Sequence, residues 1–207
     1  MTKPSHVLLG RLLCRRLSEE YGIMLDTEGF LLGNILPDIR ISFLTRPHFL
    51  KNHRKSTVRR IGRILMYDRQ TSAYFGRSYS MELGILCHYY ADFLCFAHSG
   101  AYTGDLLDHV QYERDLHQYL EVRPPDAADA YVSEPSGEMT AGEIFEQFLD
   151  LHESYARMAP SFENDISQSL KACTEALVLL TSAVIAVPPA EARLLFSSDE
   201  YFAEVTV

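Results

Sequence analysis

A chain of 207 residues, 47% hydrophobic and 23% charged, has the composition of an ordinary globular domain and enough length to bury a sizeable core. Its 19 basic and 28 acidic residues leave a formal charge of −9, so the molecule as a whole repels anionic membrane and nucleic acid, and no nucleic-acid partner is expected except as a substrate. The four cysteines, Cys14, Cys87, Cys95 and Cys173, form no CxxC pair and read as small apolar core residues of a reduced protein rather than a disulfide framework.

In chain order, Leu8, Leu9, Leu12, Leu13 and Leu17 recur at helical spacing, which predicts an amphipathic helix over 5–21 with Ser5 as N-cap. Arg11 breaks its apolar run, Arg15 and Arg16 follow, and no small-residue cleavage site appears, so no signal peptide is read and a cytoplasmic location is expected. Glu28–Ile35 is a second apolar stretch ended by Pro37, and Asp38–Asn52 reads as a loop. Ser56 or Thr57 would cap a helix to about Asp68, and a further helix runs from about Thr71 to Phe96. Residues 99–104 (SGAYTG) are a turn before a helix from Asp105 to about Val122. Residues 123–140 read as a surface loop, followed by helices near Ala141–Met158 and Ser161–Val187, a stop at Pro188-Pro189 and a tail over 188–207. The run Ala176–Val187 is too short to span a bilayer. With no repeat and no strand ladder, the expected fold is all-α: one compact multi-helix domain over residues 1–207.

Histidines and carboxylates carry the chemistry. His88 and Asp92 are four apart, as are His109 and Glu113, so each pair projects from one helix face and can chelate a single ion without distorting the helix. A surface His–carboxylate contact explains one such pair as well; two pairs bracketing His98 favour metal. His98 lies ten residues after His88, about 15 Å of helical rise and far off in direction, too far to share an ion, so the spacing asks for more than one metal if these are ligands.

The stretch LGILCHYYADFLCFAHS (83–99) resembles the core motif of the zinc-dependent phospholipase C family, Leu-Gly-x3-His-Tyr-x2-Asp-x5-His, with Ala97 where that pattern often has proline. HVQYE (109–113) resembles its following His-x2-Tyr-Glu element, LLGNILPDI (31–39) its Leu-Gly-x3-Pro-Asp segment, and His6 its early histidine. The resemblance implies a phospholipase C-like helical domain with two or three Zn2+ ions. Asp38, a histidine after it, His88 and Asp92 would hold a first zinc; His98, His109 and Glu113 a second; His6 and the N-terminal amine a third, with Asp92 as bridge. The histidine after Asp38 is either His48 or His53, with His53 narrowly favoured because it precedes a Ser/Thr-capped helix. Asp38 is also the candidate catalytic base.

The resemblance further implies hydrolysis of a phosphate ester, a phospholipid among the candidates, by a metal-activated water. Related single-strand nucleases use nearly the same ligands but tend to close the second site with His-x3-Asp, so Glu113 favours the phospholipase side. A helical protein with purely structural metal is the non-catalytic alternative. His117 and His152 read as ordinary residues, and Tyr89, Tyr90 and Tyr112 as core groups or supports for a ligand. The basic run Arg54, Lys55, Arg59, Arg60 and Arg63 reads as a solvated helix face ahead of a phosphate-binding cluster.

Overall fold

The computed structural model describes residues 1–39, 48–68, 72–123 and 139–185. Among these the chain is all-α, with seven helices: α1 (Lys3–Tyr21), α2 (Thr27–Ile39), α3 (Leu50–Leu65), α4 (Arg77–Phe93), α5 (Leu106–Val122), α6 (Ala141–Ala156) and α7 (Phe162–Val184). A 3-10 turn, Phe96–His98, follows α4. Two short strands, β1 (Met24–Leu25) and β2 (Tyr74–Phe75), pair in parallel, a small element that the sequence pattern did not disclose. No described helix is long and apolar enough to cross a membrane. Most of the expected 123–140 loop, together with Pro188-Pro189 and the 188–207 tail, lies outside the described residues.

α4 is the centre of the fold. Its residues are buried on every side from Leu83 to Phe93, as expected of a helix enclosed by others. α7 closes one flank: Ser169 Oγ reaches the Ala91 carbonyl at 3.4 Å, and the Tyr79 hydroxyl donates to the Leu180 carbonyl at 2.9 Å. α2 packs on another flank so closely that a Cβ at Gly84 would overlap the Phe30 carbonyl oxygen and one at Gly33 the Met81 carbonyl oxygen. Only glycine permits that approach.

Several helix ends depart from the pattern-based boundaries. α1 is capped by Thr2, whose Oγ1 accepts the Ser5 N–H at 3.3 Å, so Ser5 is already inside the helix. α1 stops at Gly22, with φ 64°. α2 continues through Pro37 to Ile39. Proline removes one hydrogen bond, but Phe30, Gly33, Asn34, Leu36 and Pro37 are buried there, and that packing outweighs local preference. α3 starts at Leu50, six residues ahead of Ser56. The hydroxyls of Ser56 and Thr57 instead donate back to the His53 carbonyl at 2.8 and 3.0 Å, the bonding of residues inside a helix. α4 begins at Arg77, after β2, and ends at Phe93. Asp105 and Asp108 form a capping box on α5, and Thr140 and Glu143 another on α6.

Candidate metal centre

Two helices supply most of the site. α4 presents His88 and Asp92 one turn apart, and α5 presents His109 and Glu113 in the same relation. α1 adds His6, the end of α2 adds Asp38, the 3-10 turn adds His98, and His48 stands just ahead of α3. Three groups result, each with potential ligand atoms within 4.8 Å of one another: His6, His88 and Asp92; Asp38, His48 and His88; His98, His109 and Glu113.

The tautomer of His88 is set by the fold. Its Nδ1 lies 2.7 Å from the Asn34 main-chain carbonyl. A carbonyl only accepts, so Nδ1 carries the hydrogen and Nε2 turns its lone pair inward. Nε2 is 3.2 Å from Asp92 Oδ2, 3.7 Å from Asp38 Oδ1 and 3.2 Å from His48 Nδ1.

Asp92 joins the groups. Its Oδ2 lies 2.7 Å from His48 Nδ1, while Oδ1 lies 2.6 Å from the Met1 amine and 3.2 Å from His6 Nε2. Burial opposes ionisation of this carboxyl, but the Met1 ammonium and the imidazoles of His98, His88 and His6 hold its pKa well below the usual carboxylate range. Glu113 Oε1 sits 2.9 Å from His98 Nε2, 3.2 Å from His109 Nε2 and 2.9 Å from the Met1 amine. Burial again works against its charge, but its hydrogen bond with His98 and the nearby Met1 ammonium lower its pKa. A positive group is therefore favoured between Asp92 and Glu113.

His6 is fully buried with its ring stacked on His88 at 4.0 Å. Burial, followed by repulsion from His88, lowers its pKa to about 3, so the ring is neutral near pH 7. Neither ring nitrogen has a hydrogen-bond partner; Nε2 is close to Asp92 Oδ1 but misaligned for a hydrogen bond. Orphaned imidazole nitrogens in a dry interior are costly, and a cation at Nε2 would offset that cost. The donor set is imidazole nitrogen and carboxylate oxygen, which zinc accepts. The residues present fit zinc.

His53, narrowly preferred from sequence, joins none of these groups. Its ring packs on Tyr89 at 4.7 Å, whereas His48 stands between Asp38, His88 and Asp92. His117 pairs with Glu121 at 3.5 Å on α5, and His152 packs among Phe148 and Tyr155. The basic run of α3 is more engaged than a solvated face: Arg60 pairs with Glu82, and Arg54 with Glu146 at 3.3 Å.

Sequence reasoning missed Asp165 on α7, which is fully buried. Its Oδ2 accepts the Phe96 N–H at 3.0 Å and the Tyr112 hydroxyl at 2.9 Å, and its Oδ1 accepts the Tyr155 hydroxyl at 2.7 Å. One carboxylate thus ties down the turn that carries His98 and the neighbour of Glu113. The available signal was its register: Asp165 shares a helical stripe with the buried Ser169, Ala172 and Cys173, where an acid is rare unless partnered.

A family model described as zinc dependent phospholipase C matches residues 5–162, more than half of the chain, and the match contains every candidate ligand side chain. No curated protein and no solved structure matches the chain.

Proposed function

The chain belongs to the zinc-dependent phospholipase C family, and from that premise we propose that it is a phosphodiesterase that binds two or three zinc ions in the groups around Asp92. Asp38, His48, His88 and Asp92 Oδ2 form the first set, and His98, His109 and Glu113 the second. His6, Asp92 Oδ1 and the N-terminal amine, which would give up its proton to bind, form the third. The observation that carries the reading is the arrangement at Asp92, whose two oxygens face different sets of nitrogen donors 2.6–3.2 Å away.

Zinc, when bound, supplies Lewis-acid polarisation of phosphoryl oxygen and a more acidic water. Asp38 Oδ1, 3.7 Å from His88 and 3.9 Å from His48, is placed to take the proton of the attacking water. Asp38 is 21% exposed against 1% for Asp92, so its carboxylate is the one that water can reach. The water oxygen bonds to phosphorus, the phosphorus–alkoxide bond breaks, and the departing alkoxide is protonated. Asn34 acts through its carbonyl by holding the His88 ring in the productive tautomer. A glycerophospholipid, cleaved to diacylglycerol and a phosphorylated headgroup, is the first natural substrate to test.

Metal analysis of protein purified without chelator tests the reading, together with hydrolysis of bis(4-nitrophenyl) phosphate. At least two zinc per chain are expected, with His88→Ala and Asp92→Ala losing metal and hydrolysis together. Full zinc content in both variants would refute the assignment.

A further inference from the structure

His98 faces two ways. Its Nε2 meets Glu113, while its ring forms part of the wall of a cavity of about 820 Å³, the size of a small-molecule site. Phe49, Phe96, Tyr102, Tyr155, Met158 and Pro160 make that wall largely apolar. A smaller recess of about 320 Å³ is lined in part by His109 and shares Phe49, Ser99 and Tyr102 with the first. The two recesses thus meet beside the His98–His109–Glu113 group. A phosphodiester carries two substituents, and a phosphate at this group directs one into each recess.

The charge on the larger cavity is one-sided. Among the described residues no aspartate or glutamate lines it, although the chain carries 28 acidic residues. Lys51 and Arg54 do line it. Arg54 is partly offset by Glu146, but both ends of that pair are more than half exposed, where such pairing is weak. The His152 imidazole, which also lines it, has its pKa lowered by burial, so it adds little positive charge. A cationic substituent would find two like charges there and no carboxylate. Of the aromatic rings in the wall, Phe49 already lies under the Lys51 ammonium, 5.6 Å from the ring centroid.

We propose that this cavity receives one ester arm of the substrate, an apolar arm bearing a further negative charge, and so selects anionic arms over cationic ones such as choline. The proposal rests on the phosphodiesterase reading and adds a substrate class to it. Three esters sharing 4-nitrophenol as leaving group test it: phenyl 4-nitrophenyl phosphate, its 4-carboxyphenyl counterpart, and 4-nitrophenyl phosphorylcholine. In the zinc-loaded enzyme, kcat/KM should be about five-fold higher for the carboxyphenyl ester than for the phenyl ester, and lowest for the choline ester. In the double variant Lys51→Gln, Arg54→Gln that ratio should fall to about one through KM, with zinc content unchanged, and added salt should shrink it in the wild type. Hydrolysis with no carboxylate preference, or a preference that survives the double variant, overturns the proposal and leaves the phosphodiesterase reading standing. A zinc-loaded protein that hydrolyses none of the three overturns both.

Discussion

Replacing Asp165 by alanine tests how the fold holds the second ligand group. The carboxylate is fully buried and accepts three hydrogen bonds, from Phe96 N–H, Tyr112 and Tyr155. Each bond to a charged acceptor contributes about 1.5–3 kcal/mol, and removing the acceptor leaves buried donors unsatisfied. The opposing term is the desolvation of the carboxylate itself, visible in the rise that burial imposes on its pKa, so the variant regains part of the loss. The net cost expected is about 3–5 kcal/mol, the range for breaking a buried charged network. Asp165→Asn keeps one acceptor oxygen and should cost about 1–3 kcal/mol. Urea unfolding in chelator measures both. Because the lost bonds anchor the His98 turn and Tyr112, the Asn variant should also bind the second zinc more weakly, while the Asp38–His48–His88 group keeps its ion. A wild-type unfolding midpoint for Asp165→Ala, or full zinc retention by Asp165→Asn under limiting metal, would refute the reasoning.

His48→Ala should lose at least one zinc, whereas His53→Ala should keep its metal and lose about 1–3 kcal/mol through the buried space left beside Tyr89; zinc analysis with thermal unfolding checks the pair, and zinc loss confined to His53→Ala would reverse the choice of ligand. Gly84→Ala pushes a methyl group into the Phe30 carbonyl and should cost about 1–3 kcal/mol by overpacking, read as a lower urea midpoint; an unchanged midpoint would sink the close-contact argument. In metal-free protein, His6 has a folded pKa of about 3 against an unfolded value of about 6.5. The unfolded chain therefore takes up this proton first as pH falls, and stability should drop by about 1.4 kcal/mol per pH unit between those values. His48, whose pKa Asp92 raises against the effect of burial, works in the other direction: its contribution is complete below about pH 6.5 and is lost as pH rises through its folded value. Denaturation at pH 7, 6, 5 and 4 should show a shallower acid slope for His6→Gln than for wild type, and equal slopes would contradict the buried-neutral assignment.

How much could be read from sequence depended on the range of the determining contact. The i, i+4 relation of His88 with Asp92 and of His109 with Glu113 is local, and helical periodicity exposes it directly. The choice between His48 and His53 is not local: it depends on where α3 starts, and the Ser56–Thr57 capping signal placed its cap seven or eight residues after Phe49, the N-cap of α3. The hydroxyls went to the His53 carbonyl instead, so His53 entered the helix and turned toward Tyr89. Pro37 misled for a related reason, because burial against neighbouring helices kept α2 helical past it. Asp165 acts across elements, through partners 10, 53 and 69 residues away, and a single-residue signal does not reveal such partners.

The contact between α2 and α4 links fold to chemistry. Gly33 and Gly84 bring the two helix backbones together, and one residue beyond Gly33 the Asn34 carbonyl meets His88 Nδ1 at 2.7 Å. One turn beyond Asn34 stands Asp38, whose Oδ1 lies 3.7 Å from the other nitrogen of the same ring. His88 is therefore held from both sides by one helix, and its distance to Asp38 depends on the close approach that the glycines allow. Had α2 ended before Pro37, Asn34 would still orient the ring, but Asp38 would no longer have a helix to set its position. The continuation of α2 past Pro37, kept by its buried packing, thus has a functional consequence: it adds the turn that brings the proposed base beside His88.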